Sequence, residues 1–475
     1  MSGFITSRAE ALEFLLSRID YERIPVGQYG SSTFKLQRMR NLMAALGDPQ
    51  DALAIVHVAG TKGKGSTATM VAAMLTAAGH RTGLFTSPHL HAIEERMVID
   101  GHRCSEQDFV RLLDEIRPHV ERLDREVSPF GETDGPTYFE ITTAMAFLYF
   151  ARQGATAAAI EVGMGGRLDS TNICRPRVSV ITSISFDHMK QLGNTLAAIA
   201  REKAGIIKPG IPVVSGETEP ETLEVIAQVA HEQGCKMVQR DVDFGYSYLG
   251  TDWDDQAPHT TAIDYWERQE TSRSNWKNVA LAMAGRHQAA NAAVALAAVS
   301  QLRDQGWSIP ESACREGLAS AACPARVEVV SRQPLIVLDA AHNVASVEAL
   351  LETLSASRFA RRRWLVFGTT LDKQLPEMLQ LLLPQFDRVV ATKYLNNPRA
   401  VPVEDLMAQI AAQSATACVG CESPADAWRY LQGEVEPDDL VCITGSFFMA
   451  AEMGTEIAQH PLRWSPQSPH STELA

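Results

Sequence analysis

Residues 60–67 read Gly60-Thr61-Lys62-Gly63-Lys64-Gly65-Ser66-Thr67, between an apolar run ending in IVHVA and a helical pattern that continues to about residue 79. Glycines at such a turn let successive backbone N–H groups face an anion, and a helix starting there adds its positive dipole end. Lys64 could offset charge on β- and γ-phosphates, and Ser66 or Thr67 could ligate Mg²⁺. The spacing departs in register from the usual G-x-x-x-x-G-K-[ST] phosphate loop. A purely structural strand-to-helix turn is the plainer alternative, but it has no use for lysines and hydroxyls together.

Other chemistry-bearing residues sit after apolar runs. Glu161 ends the run AAAIE and precedes a glycine-rich stretch containing Asp169, so it can offer a carboxylate to a hard cation where parallel sheets hold their ligands. Asp187 and His188 follow VSVITSIS in the same manner, and His188 could serve a metal or a phosphate. Asp339 and His342 follow PLIVL, with Arg326 just upstream. Glu202 and Lys203 lie in a helical pattern whose plain reading is a solvated face. Groups divided between two domains would suit a site that closes on ATP.

These residues need elements to hold them. A chain of 475 residues predicts two or three domains. Helices are expected in the first 50 residues, near 65–79, 105–127, 138–153 and 194–204. They alternate with strands at LAIVHVAG, RTGLFTSP, AAAIEVG, VSVITSIS and PVVSG, a mostly parallel sheet covered on both faces. Residues 237–285 read as short antiparallel strands or loops, and HQAANAAVALAAVSQL as a long helix. A boundary falls near 323, where a second alternating series opens with PLIVLDAAHN, RRWLVFGTT, RVVATKY and LVCITGS. The expected organisation is residues 1–322, then 323–458, then a disordered tail over 459–475.

A formal net charge of −14 argues against broad binding to nucleic acid or anionic membrane, so any positive field must be local. No apolar run approaches about 18 residues and the N-terminus lacks a signal-peptide core, which predicts a cytoplasmic protein. Cys418 and Cys421 form the one close pair among eight cysteines, without the second half of a zinc site. Ordinary reduced thiols are expected there.

Taken together, HVAGTKGKGST, FTSPHL, EVGMGGRLDSTN, DHMKQLGNTLAAIAREKAGIIKPG, GRHQAANAAVAL and LDAAHN resemble the folylpolyglutamate synthase and dihydrofolate synthase group of Mur-type ligases, over nearly the whole chain. The resemblance implies an α/β fold, with a central parallel-sheet P-loop ATPase domain and a smaller Rossmann-like C-terminal domain. It also implies ATP-dependent addition of L-glutamate to dihydropteroate and to folates through an acyl phosphate, by a monomer. Gly60, Thr61, Gly63, Lys64, Gly65, Ser66 and Thr67 would then bind nucleotide, with Asn291, Arg326, Asp339 and His342 across the domain cleft. Two Mg²⁺ ions are implied, with Ser66 on one and Ser87, Glu161 and His188 on the other. Lys203 matches a lysine that the family carbamylates, which replaces the solvated-face reading. Thr137, Phe139 and Asp169 match the pterin pocket of dihydropteroate-binding members.

Three residues depart from the family pattern. Lys62 stands where Asn is usual. Ala325 and Ala340 each replace a glycine, which is harmless wherever φ stays below zero. Polyglutamylation without dihydrofolate synthesis is the nearest alternative. A nucleotide-binding regulator and a P-loop kinase remain as readings from other classes.

Overall fold

In the computed structural model, residues 4–20, 36–125, 135–187, 189–253, 260–268, 273–355, 361–371 and 373–462 are described. Of the tail expected over 459–475, residues 463–475 lie outside these residues, and Gln459 still belongs to the helix Phe447–Gln459. The chain forms two compact units, one of residues 1–247, 263–280 and 290–321 and the other of the remainder.

The first unit is built on an eight-stranded sheet. Its strands are β1 (Ala54–Ala59), β2 (Thr82–Phe85), β3 (Met97–Ile99), β4 (His102–Arg103), β5 (Ala157–Glu161), β6 (Val178–Ile181), β7 (Val213–Ser215) and β8 (Met237–Gln239). Their spatial order is β4-β3-β2-β5-β1-β6-β7-β8. Pairing is parallel from β2 through β8, and β3 and β4 add an antiparallel edge. The central strands β1, β5 and β6 are buried almost from end to end and mostly apolar, as a sheet covered on both faces requires, with His57, Glu161 and Ser179 as their polar members. The helices Arg8–Leu16, Leu36–Ala45, Glu106–Arg125 and Tyr138–Arg152 share a core cluster with Ile55, Phe85 and Ile160. A separate cluster joins Ile181 and Val213 to the helices Leu196–Ala204 and Pro220–Glu232.

Topology places a site. The chain leaves β1 towards β2 on one side, whereas it leaves β6 towards β7 on the other. Such a switch point opens a crevice at the carboxyl ends of adjacent strands. Register brings Glu161 opposite Val58 and Ile181 opposite Ala59, so the glycine turn emerges between the ends of β5 and β6.

The segment expected as short strands forms β9 (Phe244–Asp252), β10 (Thr260–Arg268) and β11 (Arg273–Leu281), nine residues each, in a three-stranded sheet. The second unit holds a six-stranded sheet of β12 (Glu328–Arg332), β13 (Leu335–Leu338), β14 (Arg363–Phe367), β15 (Arg388–Thr392), β16 (Ala417–Cys421) and β17 (Leu440–Thr444), ordered β12-β13-β17-β14-β15-β16. Its two faces alternate: Val337, Leu365, Phe367, Val389 and Cys442 enter one core cluster, whereas Ile336, Leu338, Trp364, Val366 and Val441 enter the other. Among the described residues no helix is long and apolar enough to cross a membrane.

Candidate active site

After β1 the chain turns through Gly60–Gly63 and starts the helix Lys64–Ala77. Gly60 (φ 153°) and Gly63 (φ 81°) adopt backbone angles unfavourable to other residues. A Cβ would also collide with Thr182 Oγ1 at the first and Asn291 Oδ1 at the second. Long-range bonds hold the turn: Thr61 N donates to Ser183 O (2.6 Å), Thr182 Oγ1 to Lys62 O (2.6 Å) and Lys203 Nζ to Gly60 O (2.8 Å). Ala59, Val162 and Ile206 form a small apolar cluster at the end of β1. The first helical bond runs from Thr67 N to Gly63 O, so the preceding N–H groups lie ahead of the helical ladder. That arrangement suits an anion.

Glu161 closes β5 with its carboxylate turned to this helix start, only 5% exposed. Its Oε2 accepts from Ser87 N (2.9 Å) and lies 3.2 Å from where a Cβ on Gly65 would stand. The carboxylate therefore packs against the helix backbone, and a side chain at 65 would press on it. Ser66 and Thr67 are buried beside it in sequence, and Thr67 Oγ1 has no hydrogen-bond partner among the described residues. No group of three or more His, Cys, Asp or Glu able to hold a metal occurs among the described residues. Hydroxyls and one carboxylate are hard oxygen donors, the set Mg²⁺ uses when substrate phosphates supply the rest. His188 lies outside the described residues.

Three lysines surround the turn. Lys203, from the helix Leu196–Ala204, is 4% exposed and donates to Gly60 O. Burial, then the Lys64 charge, pushes its pKa down to about 7, with Lys62 lowering it further and Asp187 and Asp169 opposing. Lys64 Nζ reaches Thr61 O at 3.5 Å. Lys62 Nζ lies 4.0 Å from Asp187 Oδ2, a partner that sequence reading did not supply. Both side chains are partly exposed.

Of the predicted pterin residues, Asp169 lies in the loop after β5 and Phe139 packs against that loop, whereas Thr137 sits at the start of the helix Tyr138–Arg152. Phe139 stacks against the Gly163 backbone, where any Cβ would strike its ring, and lies 6.0 Å from the Phe85 ring. Thr137 caps the helix Tyr138–Arg152 in a reciprocal capping box with Glu140, which also pairs with Arg38. Asp169 is buried and accepts from Met164 N, Thr171 N and Thr171 Oγ1. Burial raises its pKa, and these three bonds oppose that. Most of its lone-pair capacity is thus committed within its own loop.

In the second unit, Arg326, Asp339 and His342 converge on the ends of β13 and β17. Asp339 accepts from Val327 N (2.9 Å) and Ala341 N (2.7 Å), and burial pushes its pKa up to about 6 against the Arg326 charge. The Arg326 guanidinium sits 4.6 Å over the Phe447 ring, and the His342 ring lies 6.3 Å from the same phenyl. Phe447 follows the turn Gly445-Ser446 after β17, and the strand–glycine–serine pattern was the one signal pointing to it. Ala340 keeps φ below zero, but Ala325 adopts φ 54°, so that exchange carries backbone strain. All eight cysteines are free, and burial raises the thiol pKa of Cys418 and Cys421.

Two family descriptions match this chain: the Mur ligase middle domain over residues 58–299 and the Mur ligase glutamate ligase domain over residues 325–447. The dihydrofolate synthase/folylpolyglutamate synthase of Bacillus subtilis (strain 168) is 36% identical over 432 residues, covering 88% of this chain and 94% of that protein. The Mycobacterium tuberculosis folylpolyglutamate synthase complexed with ADP superposes with a TM-score of 0.81 at 33% identity, covering 94% of this chain and 97% of that one. Escherichia coli FolC in complex with DHPP and ADP gives 0.80 at 30% identity, covering 96% and 99%.

Proposed function

The chain belongs to the Mur ligase family, in its folylpolyglutamate synthase and dihydrofolate synthase group, and from that premise we propose how it joins L-glutamate to dihydropteroate and to reduced folates. It is an ATP-dependent amide-bond-forming ligase. A carboxylate resists amines until one of its oxygens becomes a good leaving group. A carboxylate oxygen of the pteroate or folate attacks the γ-phosphorus of ATP, and ADP departs. The glutamate nitrogen then attacks the acyl carbon, a proton leaves the amine, and phosphate departs with the former carboxylate oxygen.

This chain's residues supply binding and charge. The N–H groups from Gly63 onward and the Lys64 ammonium cradle the terminal phosphates, lowering the repulsion when two anions meet. Asn291, whose side chain closes on Gly63, binds nucleotide beside the turn. Ser66, Ser87 and Glu161, with His188, would hold Mg²⁺, whose charge would further offset that of the phosphate oxygens. Lys203 would take up CO₂ as its neutral amine, forming an N–C bond and releasing a proton, to give a carboxylate-like group. A pKa of about 7 leaves much of it in that reactive form at neutral pH. Arg326, Asp339 and His342 bind nucleotide, and Thr137, Phe139 and Asp169 hold the pterin.

The observation that carries this reading is the buried Glu161 carboxylate set against Gly65, at a helix start also served by Lys64, Ser66 and Thr67. A binding module has no need to bury such a group there. Purified protein given ATP, Mg²⁺ and glutamate, with dihydropteroate or tetrahydrofolate separately, should yield products one glutamate residue heavier from each. Product from tetrahydrofolate alone restricts the protein to polyglutamylation, and no ligation with either overturns the proposal.

A further inference from the structure

His57 is the one ionisable side chain in β1, 0% exposed, and the ligase reading above gives it no role. Its Nε2 lies 2.8 Å from Thr171 Oγ1, and the same hydroxyl closes on Asp169 Oδ1. A hydroxyl has one proton to donate. Asp169 accepts two backbone N–H bonds, from Met164 and Thr171, which oppose the rise that burial imposes on its pKa, and Thr171 Oγ1 lies 2.5 Å from its Oδ1 as a third donor. The Thr171 proton therefore goes to Asp169, and Thr171 Oγ1 must accept from His57 Nε2–H. This leaves Nδ1 as a bare acceptor, and Nδ1 is a buried atom without a hydrogen-bond partner among the described residues. The opposite tautomer would strand a buried N–H donor, the rarer and costlier arrangement.

We propose that His57 is a positioning residue for the pteroate site, fixing through Thr171 the orientation in which Asp169 presents its remaining lone pair to the substrate. The relay is His57 Nε2–H to Thr171 Oγ1, then Thr171 O–H to Asp169 Oδ1. It ties the loop after β5 to the central strand that also carries the phosphate turn. Burial, then the Lys208 charge, holds the imidazole pKa down at about 3, so the ring stays neutral and keeps one tautomer through the working pH range. The proposal rests on Asp169 as a substrate contact, which is part of the function proposed above.

The test compares His57→Leu, which lacks the donor, with His57→Gln, whose amide can supply an N–H. His57→Leu should raise the KM for dihydropteroate by about tenfold, the scale of one net hydrogen bond, with the KM for ATP changed less than about twofold. His57→Gln should recover most of that loss. A parallel rise in both KM values, or a Gln variant no better than Leu, overturns the relay. A second measurement needs no stable variant at that position. Nitrogen-15 NMR of the histidine-labelled wild-type protein, with His57 assigned through its coupling to the β1 backbone, should show Nε2 protonated and Nδ1 bare between pH 6 and 8. An Nδ1–H tautomer overturns the proposal. Wild-type protein inactive on dihydropteroate would instead refute the substrate reading, while the tautomer still reports on the relay.

Discussion

Replacing Lys203 by Met should make the protein more stable at neutral pH while stopping its turnover. The lysine pKa falls from 10.5 to about 7 on folding, chiefly through burial and the Lys64 charge. At pH 7 the unfolded chain keeps this proton and the folded chain holds it about half the time, a difference of order 4 kcal/mol against folding. Methionine removes that term but leaves Gly60 O without the bond it receives from Lys203, which costs about 1–2 kcal/mol. The net gain should be about 2–3 kcal/mol at pH 7. Between about pH 7 and 10.5 the unfolded wild type binds more protons than the folded form, so wild-type stability rises with pH at up to about 1.4 kcal/mol per unit. Below pH 7 both forms hold the proton and the difference is flat. The advantage of the variant should therefore vanish by about pH 9. Urea unfolding in bicarbonate-free buffer, from pH 6 to 9.5, measures this directly. Parallel wild-type and variant curves across that range would refute the reasoning, because they would mean Lys203 does not change its proton binding on folding.

Three further outcomes follow from the same geometry. Glu161→Gln should lower Mg²⁺-dependent turnover by about a hundredfold or more, since the amide cannot offer a second anionic oxygen; an unchanged Mg²⁺ titration counts against a metal at Glu161. Lys62→Asn should weaken ADP binding by about five- to tenfold and flatten its salt dependence, because Lys62 adds a partly exposed positive charge beside the turn. Calorimetry at two salt concentrations would contradict this if neither quantity moved. Ala325→Gly should stabilise the second unit by up to about 1 kcal/mol by relieving φ 54°, read as a shift of the denaturation midpoint, and destabilisation would show that the lost methyl outweighs the strain.

The elements were legible where chemistry is local. Apolar runs such as AIVHVA and AAAIE become buried strands, and the glycine turn between strand and helix is visible in its spacing alone. The edge strands β12 and β16 were not visible, because half-exposed edge residues such as those of ACVGC lack the apolar signature of a central strand. Nor could the sequence place Lys203 against Gly60, a contact spanning 143 residues. The helical stretch around Lys203 looks like a solvated face until the sheet is assembled, and only the resemblance singled it out. Lys62 was unexplained until the fold brought Asp187 beside it. The left-handed angle at Ala325 likewise depends on its neighbours, since Ala340 N bonds its carbonyl and Glu328 its amide.

The central claim is that ATP makes the substrate carboxylate acylable. Dihydropteroate labelled with ¹⁸O in its carboxylate, turned over once with ATP and glutamate, tests it through the mass of the released phosphate. One labelled oxygen should appear in phosphate for each amide bond formed. Unlabelled phosphate alongside amide product would contradict an acyl phosphate, and with it the role assigned to the Gly60–Thr67 turn.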